Sequence, residues 1–233
     1  MLDVGRLVFD TKILINHFVV PAIICFESHM RTIKIEQPPQ AKILIVGPIY
    51  NNIQKILNKK DFFEKYDLVI FNGSICNSIF NFEEIEKNIK IFDDNFKNEN
   101  VYYNLSGDDL ILYKNINKNN YIKNWIENKP NILFITINNM KYIILDGGLN
   151  KDIKLKDLNY NIESSFISKI NNVPWHNYYG GLFGYVISNN PLTSSPPKFY
   201  SYSMQLGNIY NKENTKIFCQ EITKYGLENT IEI

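Results

Sequence analysis

The stretch Ala41–Ile79, AKILIVGPIYNNIQKILNKKDFFEKYDLVIFNGSICNSI, decides the fold. Lys42–Val46 and Asp67–Phe71 are short runs of β-branched, aliphatic and aromatic residues that stop at glycines, Gly47 and Gly73. Ile53, Ile56 and Leu57 lie between them at helical spacing, so the stretch reads as a βαβ unit whose two parallel strands end side by side. In an open α/β sheet the carboxyl ends of such strands are where a site is built. The residues after each glycine are chemically poor: Pro48-Ile49-Tyr50 after the first, Ser74-Ile75-Cys76 after the second.

A chain of 233 residues with net charge +1 has room for one full core and points to a single domain of the larger sort. The near-neutral balance gives no electrostatic case for nucleic acid, since a phosphate-tracking surface shows as a basic excess. Cys25, Cys76 and Cys219 lie far apart in apolar or strand-like surroundings, which suggests neither a disulfide framework nor a Cys-based zinc site. A reducing intracellular compartment fits: host cytoplasm, virus particle or organelle. The apolar run Ile13–Phe26 is shorter than the ~18–20 residues that cross a bilayer. It contains Asn16, His17 and Pro21 and reads as buried β structure, with no signal-peptide pattern before it. Heavy use of Asn, Ile, Lys, Tyr and Phe is what an A/T-rich coding sequence produces, a hint of a large DNA virus, a phage, an organelle or an A/T-rich protist.

Residues 1–40 read as a β-rich extension, with runs at Leu7–Asp10, Ile13–Phe26 and Thr32–Ile35. Gln37-Pro38-Pro39-Gln40 closes it as an extended linker. The main domain then covers 41–233. Asn81 to Glu84 resembles a capping box, and Ile85, Ile89, Phe92 and Phe96 come after it at helical spacing, predicting a helix over Asn81–Phe96. Val101–Leu105 is a third strand running into Gly107-Asp108-Asp109. The Asn/Lys-rich segment 113–130, with Tyr121, Ile122, Trp125 and Ile126 as one amphipathic helix, reads as a surface excursion. Asn131–Ile137 and Met140–Leu145 form a hairpin turned at Asn138-Asn139. A helix over Ile162–Ile170, an aromatic loop Trp175–Phe183, and strands at Tyr185–Ile187, Lys198–Leu206 and Lys216–Ile222 complete the chain.

Five strand ends carry short glycine- or Asn-bearing loops in a shared order: VGPIYNN, FNGSICNS, NLSGDDL, ILDGGL and ISNNP, with QLGNIY behind. Over roughly Lys42–Ile222 this resembles the calcineurin-like metallophosphoesterases, and more closely their Ser/Thr protein phosphatase branch. There the loops read GDxHG, GDxxDRG, GNH(D/E), HAGL and GHTP. The resemblance implies a four-layer α/β/β/α sandwich, here with the N-terminal extension added. It also implies where the functional residues fall. The metal-ligating Asp and His of the first loop fall at Pro48 and Tyr50, and the bridging Asp of the second at Ser74. The Asp-Arg pair later in that second loop falls at Asn77 and Ser78. The metal-ligating Asn and general-acid His of the third loop become Asp108 and Asp109, and the last two ligand histidines become Asp146 and Asn189. Not one position keeps the family's residue.

A dinuclear site holds its cations ~3.5–4 Å apart through carboxylate and imidazole ligands. Proline has no side-chain donor, Tyr50 and Ser74 are poor neutral ligands, and Asn189 offers one carbonyl oxygen. His17, His29 and His176 all lie outside the five loops. The expectation is a pseudoenzyme with no cofactor and no metal, retained as a rigid protein-binding scaffold in a larger assembly. Its contact surfaces are the N-terminal arm, the 113–130 excursion and the Trp175 loop. The competing class is a divergent metal-dependent phosphoesterase holding one hard cation on Asp108, Asp109 and Asp146. A regulator that binds phospholigands without cleaving them is a third possibility, weakened by the lack of arginine in any of the five loops.

The remaining constellations have plain structural readings. Trp175-His176-Asn177-Tyr178-Tyr179-Gly180-Gly181 is a core lid, a ligand platform or a partner hot spot, since Trp and Tyr carry much of an interface's energy. His176 has no Ser, Cys or Asp partner nearby in sequence for catalysis. Cys76 lacks the marks of a lowered-pKa thiol. Gly147-Gly148 and Gly180-Gly181 lack the spacing of a phosphate-cradling loop.

Overall fold

The computed structural model describes residues 32–75, 81–116, 120–147 and 216–233. Between these last two stretches it describes 169–170, 173–174, 176, 179–181, 183–189, 194–206 and 208–209. The first half of the chain runs β1 (Thr32–Gln37), β2 (Ile43–Val46), α1 (Ile53–Leu57), α2 (Lys60–Phe63), β3 (Leu68–Asn72), α3 (Phe82–Phe96), β4 (Val101–Asn104), α4 (Gly107–Asn115), α5 (Asn120–Glu127), β5 (Ile132–Ile137) and β6 (Met140–Ile144). The elements described in the second half are strands: β7 (Lys169–Ile170), β8 (Val173–Pro174), β9 (Tyr185–Asn189), β10 (Ser194–Ser195), β11 (Lys198–Tyr200), β12 (Ser203–Leu206), β13 (Asn208–Ile209), β14 (Lys216–Thr223) and β15 (Gly226–Glu232).

The expected βαβ unit forms. β2 pairs parallel with β3, Ile43 opposite Leu68 through Val46 opposite Phe71, and β3 pairs parallel with β4. Every residue of β2 and β3 is buried, so apolar side chains are needed on both faces. Leu44, Val46, Val69 and Phe71 face the helices, while Ile43, Ile45, Leu68 and Ile70 face a second sheet. The first sheet has the order β10-β13-β14-β2-β3-β4, with β15 also paired to β14. The second has the order β1-β5-β6-β9-β12-β11. Leu133, Ile135, Tyr142, Ile144, Ile187 and Met204 of the second sheet meet the inner face of the first, forming the core between the sheets.

Helix α3 starts where the sequence predicts: the Asn81 side chain accepts from the Glu84 amide at 3.3 Å. Its buried stripe Ile85, Ile89, Phe92 and Phe96 covers the outer face of the first sheet. The hairpin of β5 and β6 turns on Asn138 and Asn139 at φ +47° and +64°, a pair of left-handed positions that asparagine tolerates.

Several expectations change. Thr32–Gln37, inside the extension drawn at 1–40, is the edge strand of the second sheet, paired in parallel with β5 and burying Ile35 between the sheets. Residues 1–31 lie outside the described residues. The 113–130 stretch is no mere surface excursion: α5 buries Ile122, Trp125 and Ile126 in the helix-side core, and the Trp125 indole donates to Asp93 at 3.0 Å. Its apolar stripe outweighs its polar composition. Lys198–Leu206 is a hairpin, β11 and β12, and not one strand. The helix expected over Ile162–Ile170 lies outside the described residues except for Lys169–Ile170, which pair with β8 as a strand. Among the described residues no helix is long and apolar enough to cross a membrane.

Phe71 sits at the centre of the helix-side core. Its ring meets Phe63, Phe92 and Phe96 edge-on, with centroids 5.5, 4.9 and 5.2 Å away. Phe71→Ala is expected to lower the unfolding free energy by about 3–5 kcal/mol, read from urea melts of the native and variant proteins.

Candidate functional site

β2, β3 and β4 end at one edge of the first sheet, and β6 and β9 at the same edge of the second. A chain of side-chain amides closes the gap between those ends. Asn104 Nδ2 donates to Asn72 Oδ1 at 2.8 Å, and Asn72 Nδ2 donates across to the Leu145 carbonyl at 3.1 Å and to Asn189 Oδ1 at 3.3 Å. Asn189 Nδ2 returns a bond to the Asn72 carbonyl and another to Asp146 Oδ1 at 2.6 Å. Asp146 Oδ2 accepts from the Gly107 amide at 2.7 Å, at the N-terminus of α4. Both oxygens of Asp146 are therefore engaged by the protein.

The first two loops interlock. The amides of Ile49 and Tyr50 donate to the Ser74 carbonyl at 3.1 and 2.8 Å, and that of Asn51 to the Ile75 carbonyl at 3.0 Å. Tyr50, Asn51 and Ser74 hold φ of +45°, +63° and +54°, a region that non-glycine residues enter at a cost. Gly73, at φ +78°, lies against Ser106: a β-carbon there would sit 2.5 Å from the Ser106 β-carbon. The close approach lets the Ser74 amide donate to Ser106 Oγ at 3.0 Å.

Ser106 caps α4, and Asp109 completes a capping box with it. The Asp109 carboxylate accepts from the Ser106 amide and hydroxyl, each at 2.8 Å. It also accepts from the Tyr103 hydroxyl, 2.9 Å from Oδ2, which in turn accepts from the Ile75 amide at 2.7 Å. Asp109 is fully buried under the loops and does not face the mouth.

The structure thus brings together five of the positions singled out from the sequence: Tyr50, Ser74, Asp108, Asp146 and Asn189. Ser74 Oγ donates to Asp108 Oδ2 at 3.2 Å. Burial, followed by the charges of Asp108 and Asp146, pushes the Tyr50 hydroxyl far above its usual range, against a weaker opposing effect of its bond with Ser74. Pro48 is buried at the first strand's end. Asn77 and Ser78, with Cys76, lie outside the described residues, as do His17 and His29. His176 lies elsewhere, its ring stacked 3.6 Å from that of Tyr200. Tyr103, Ser106, Asn72 and Asn104 were not singled out from the sequence. Only Ser106-Gly107-Asp108-Asp109 carried a signal, the spacing of a capping box.

This donor set does not fit a pair of cations. Tyr50 resists ionisation, Pro48 has no donor, Asp109 is turned inward, and Asp146 is held by Gly107 and Asn189. Asp108 is the remaining carboxylate at the mouth. Among the described residues no group of three or more His, Cys, Asp or Glu side chains is placed to hold a metal ion.

Solved structures share this architecture. A candidate diadenosine tetraphosphatase superposes with a TM-score of 0.60 at 14% identity, over 85% of this chain and 97% of its own. A serine/threonine phosphatase from Saccharomyces cerevisiae, similar to human phosphatase PP5, superposes with a TM-score of 0.53 at 14% identity, over 87% of this chain and 82% of its own. No protein-family model and no curated protein matches the sequence. The chain has the calcineurin-like metallophosphoesterase fold.

Burial raises the Asp146 carboxyl from 3.8 to about 7, against the bonds from Gly107 and Asn189 that pull it down. Burial likewise raises Asp109 to about 6. A carboxyl whose folded pKa lies above its unfolded value binds more protons in the folded state. Stability from these groups is therefore greatest below about pH 4 and is lost as pH rises through about 6–7. The melting temperature is expected to fall across that window, and Asp146→Asn to flatten the fall; equal slopes for the two proteins would mean that Asp146 does not titrate there.

Proposed function

We propose that this chain is a phosphoesterase-fold protein without dinuclear hydrolase chemistry, a pseudophosphatase that works by binding proteins as a scaffold in a larger assembly, viral or organellar. The observation that carries this reading is Asp146. It stands at a ligand position of the resembled family, yet its two oxygens are committed to the Gly107 amide and the Asn189 side chain. Pro48 and Ser74, where the family has carboxylates, support the same reading. The fold itself does not decide activity, because one architecture serves many functions. A divergent phosphoesterase with a single cation on Asp108, Asp109 and Asp146 is favoured only by Asp108 and Asp146 flanking one mouth. Asp109 is already bonded to Ser106 and Tyr103.

An aryl phosphate assay across Mn²⁺, Mg²⁺ and Zn²⁺ separates the two readings. Turnover is expected to match that of an Asp108→Asn variant at every metal concentration. Metal-dependent hydrolysis that this variant abolishes overturns the scaffold reading in favour of the enzyme.

A further inference from the structure

Gly73 is the one glycine of the chain that follows an asparagine. That order carries a chemistry of its own. A glycine has no side chain to hinder its backbone nitrogen, which can therefore attack the side-chain amide of the residue before it. The Gly73 nitrogen bonds to Cγ of Asn72, the Cγ–Nδ2 bond breaks, and Nδ2 leaves as ammonia with the proton that the Gly73 nitrogen gives up. Water then opens the five-membered imide at either carbonyl, which leaves an aspartate or an isoaspartate at position 72.

Neither residue is free to change. Gly73 holds φ +78°, and a β-carbon there would lie 2.5 Å from the Ser106 β-carbon, so the turn admits no side chain. Asn72 has to be an amide. Its Nδ2 donates to the Leu145 carbonyl at 3.1 Å and to Asn189 Oδ1 at 3.3 Å, while its Oδ1 accepts from Asn104 Nδ2 at 2.8 Å. A carboxylate has no donor for the first two bonds, and an apolar side chain makes none of the three. The joint between the sheets is thus built on the dipeptide most prone to this reaction.

The same bonds seal it. Attack requires the amide to tilt towards the Gly73 nitrogen and Nδ2 to depart. Here Asn72 is fully buried, both heteroatoms of its amide are held, and its backbone carbonyl accepts from Asn189 Nδ2. Any route to the imide begins by parting Asn72 from these partners.

We infer that Asn72 is a latent modification site, closed in the folded chain, which converts through the imide when the corner between the sheets opens and then keeps that corner from closing again. The aspartate product turns a carboxylate towards the Leu145 carbonyl and Asn189 Oδ1, two acceptors left without their donor in a buried corner. The isoaspartate product routes the backbone through Cβ, one atom longer, where β3 ends. An opening of the corner is recorded covalently. The inference holds whether or not the mouth hydrolyses phosphoesters.

The test incubates the whole chain at neutral pH with and without denaturing guanidinium chloride. Digestion follows in mild acid, where the glycine nitrogen keeps its proton, and mass spectrometry measures conversion in the peptide that spans 72–73. Conversion is expected to be about tenfold or more slower in the folded chain, because only its open fraction reacts. Asn104→Ala and Asn189→Ala each remove a bond to Asn72; a variant with a native circular dichroism spectrum and melt is expected to convert several-fold faster than the native chain in buffer. In denaturant, Gly73→Ala is expected to slow conversion, and Asn72→Asp, the direct product, is expected to melt below the native chain. The inference is overturned by equal conversion in folded and denatured chains, by folded Asn104→Ala and Asn189→Ala converting no faster, by Gly73→Ala converting no slower, or by Asn72→Asp melting with the native chain. Where neither alanine variant of the partners folds, the other comparisons decide.

Discussion

The structure depends on one interaction: side-chain amides buried where two sheets end bond to one another across the gap, since an amide left unpartnered there is costly. Asn72 is fully buried and bonds in both directions, to Asn104 on its own sheet and to Leu145 and Asn189 on the other. Asp146 extends the chain of bonds to α4 through Gly107. These contacts register the two sheets at the mouth and fix the loops that carry Tyr50, Ser74 and Asp108. The corner at which the sequence resemblance places Asp146 and Asn189 is held here by hydrogen bonds between protein groups.

Much of the fold was legible in the sequence because its signals are local. Lys42–Val46 and Asp67–Phe71, the Asn81 cap with the stripe behind it, and the Asn138-Asn139 turn each carry their structure within a few residues. The convergence of five loops could be read only through their order, and the structure gathers Tyr50, Ser74, Asp108, Asp146 and Asn189 accordingly. What was missed depends on partners distant in sequence. Thr32–Gln37 finds β5 a hundred residues away, and a linker carrying Pro38 and Pro39 gave no sign of it. Asn72 and Asn104 look like ordinary strand ends until β9 is placed beside them. Asp109, read as part of a cation-holding trio or as a solvent-facing loop cap, is a cap that is fully buried, because its capping role requires α4 and the flanking Asn/Lys-rich composition hid that helix.

At the mouth, carboxylates and amides are turned on one another, and burial raises Asp108, Asp109 and Asp146 alike.

β2 lies at the middle of the first sheet, and one of its two neighbours, β14, is formed by residues 216–223. During synthesis the apolar edge of Ile43–Val46 therefore waits for residues 219–222 before its ladder can close. Such long-range pairing folds slowly, and an unpaired central strand is an invitation to misassociation. Nascent chains stalled before residue 216 should lean on chaperones far more than chains extended past residue 223.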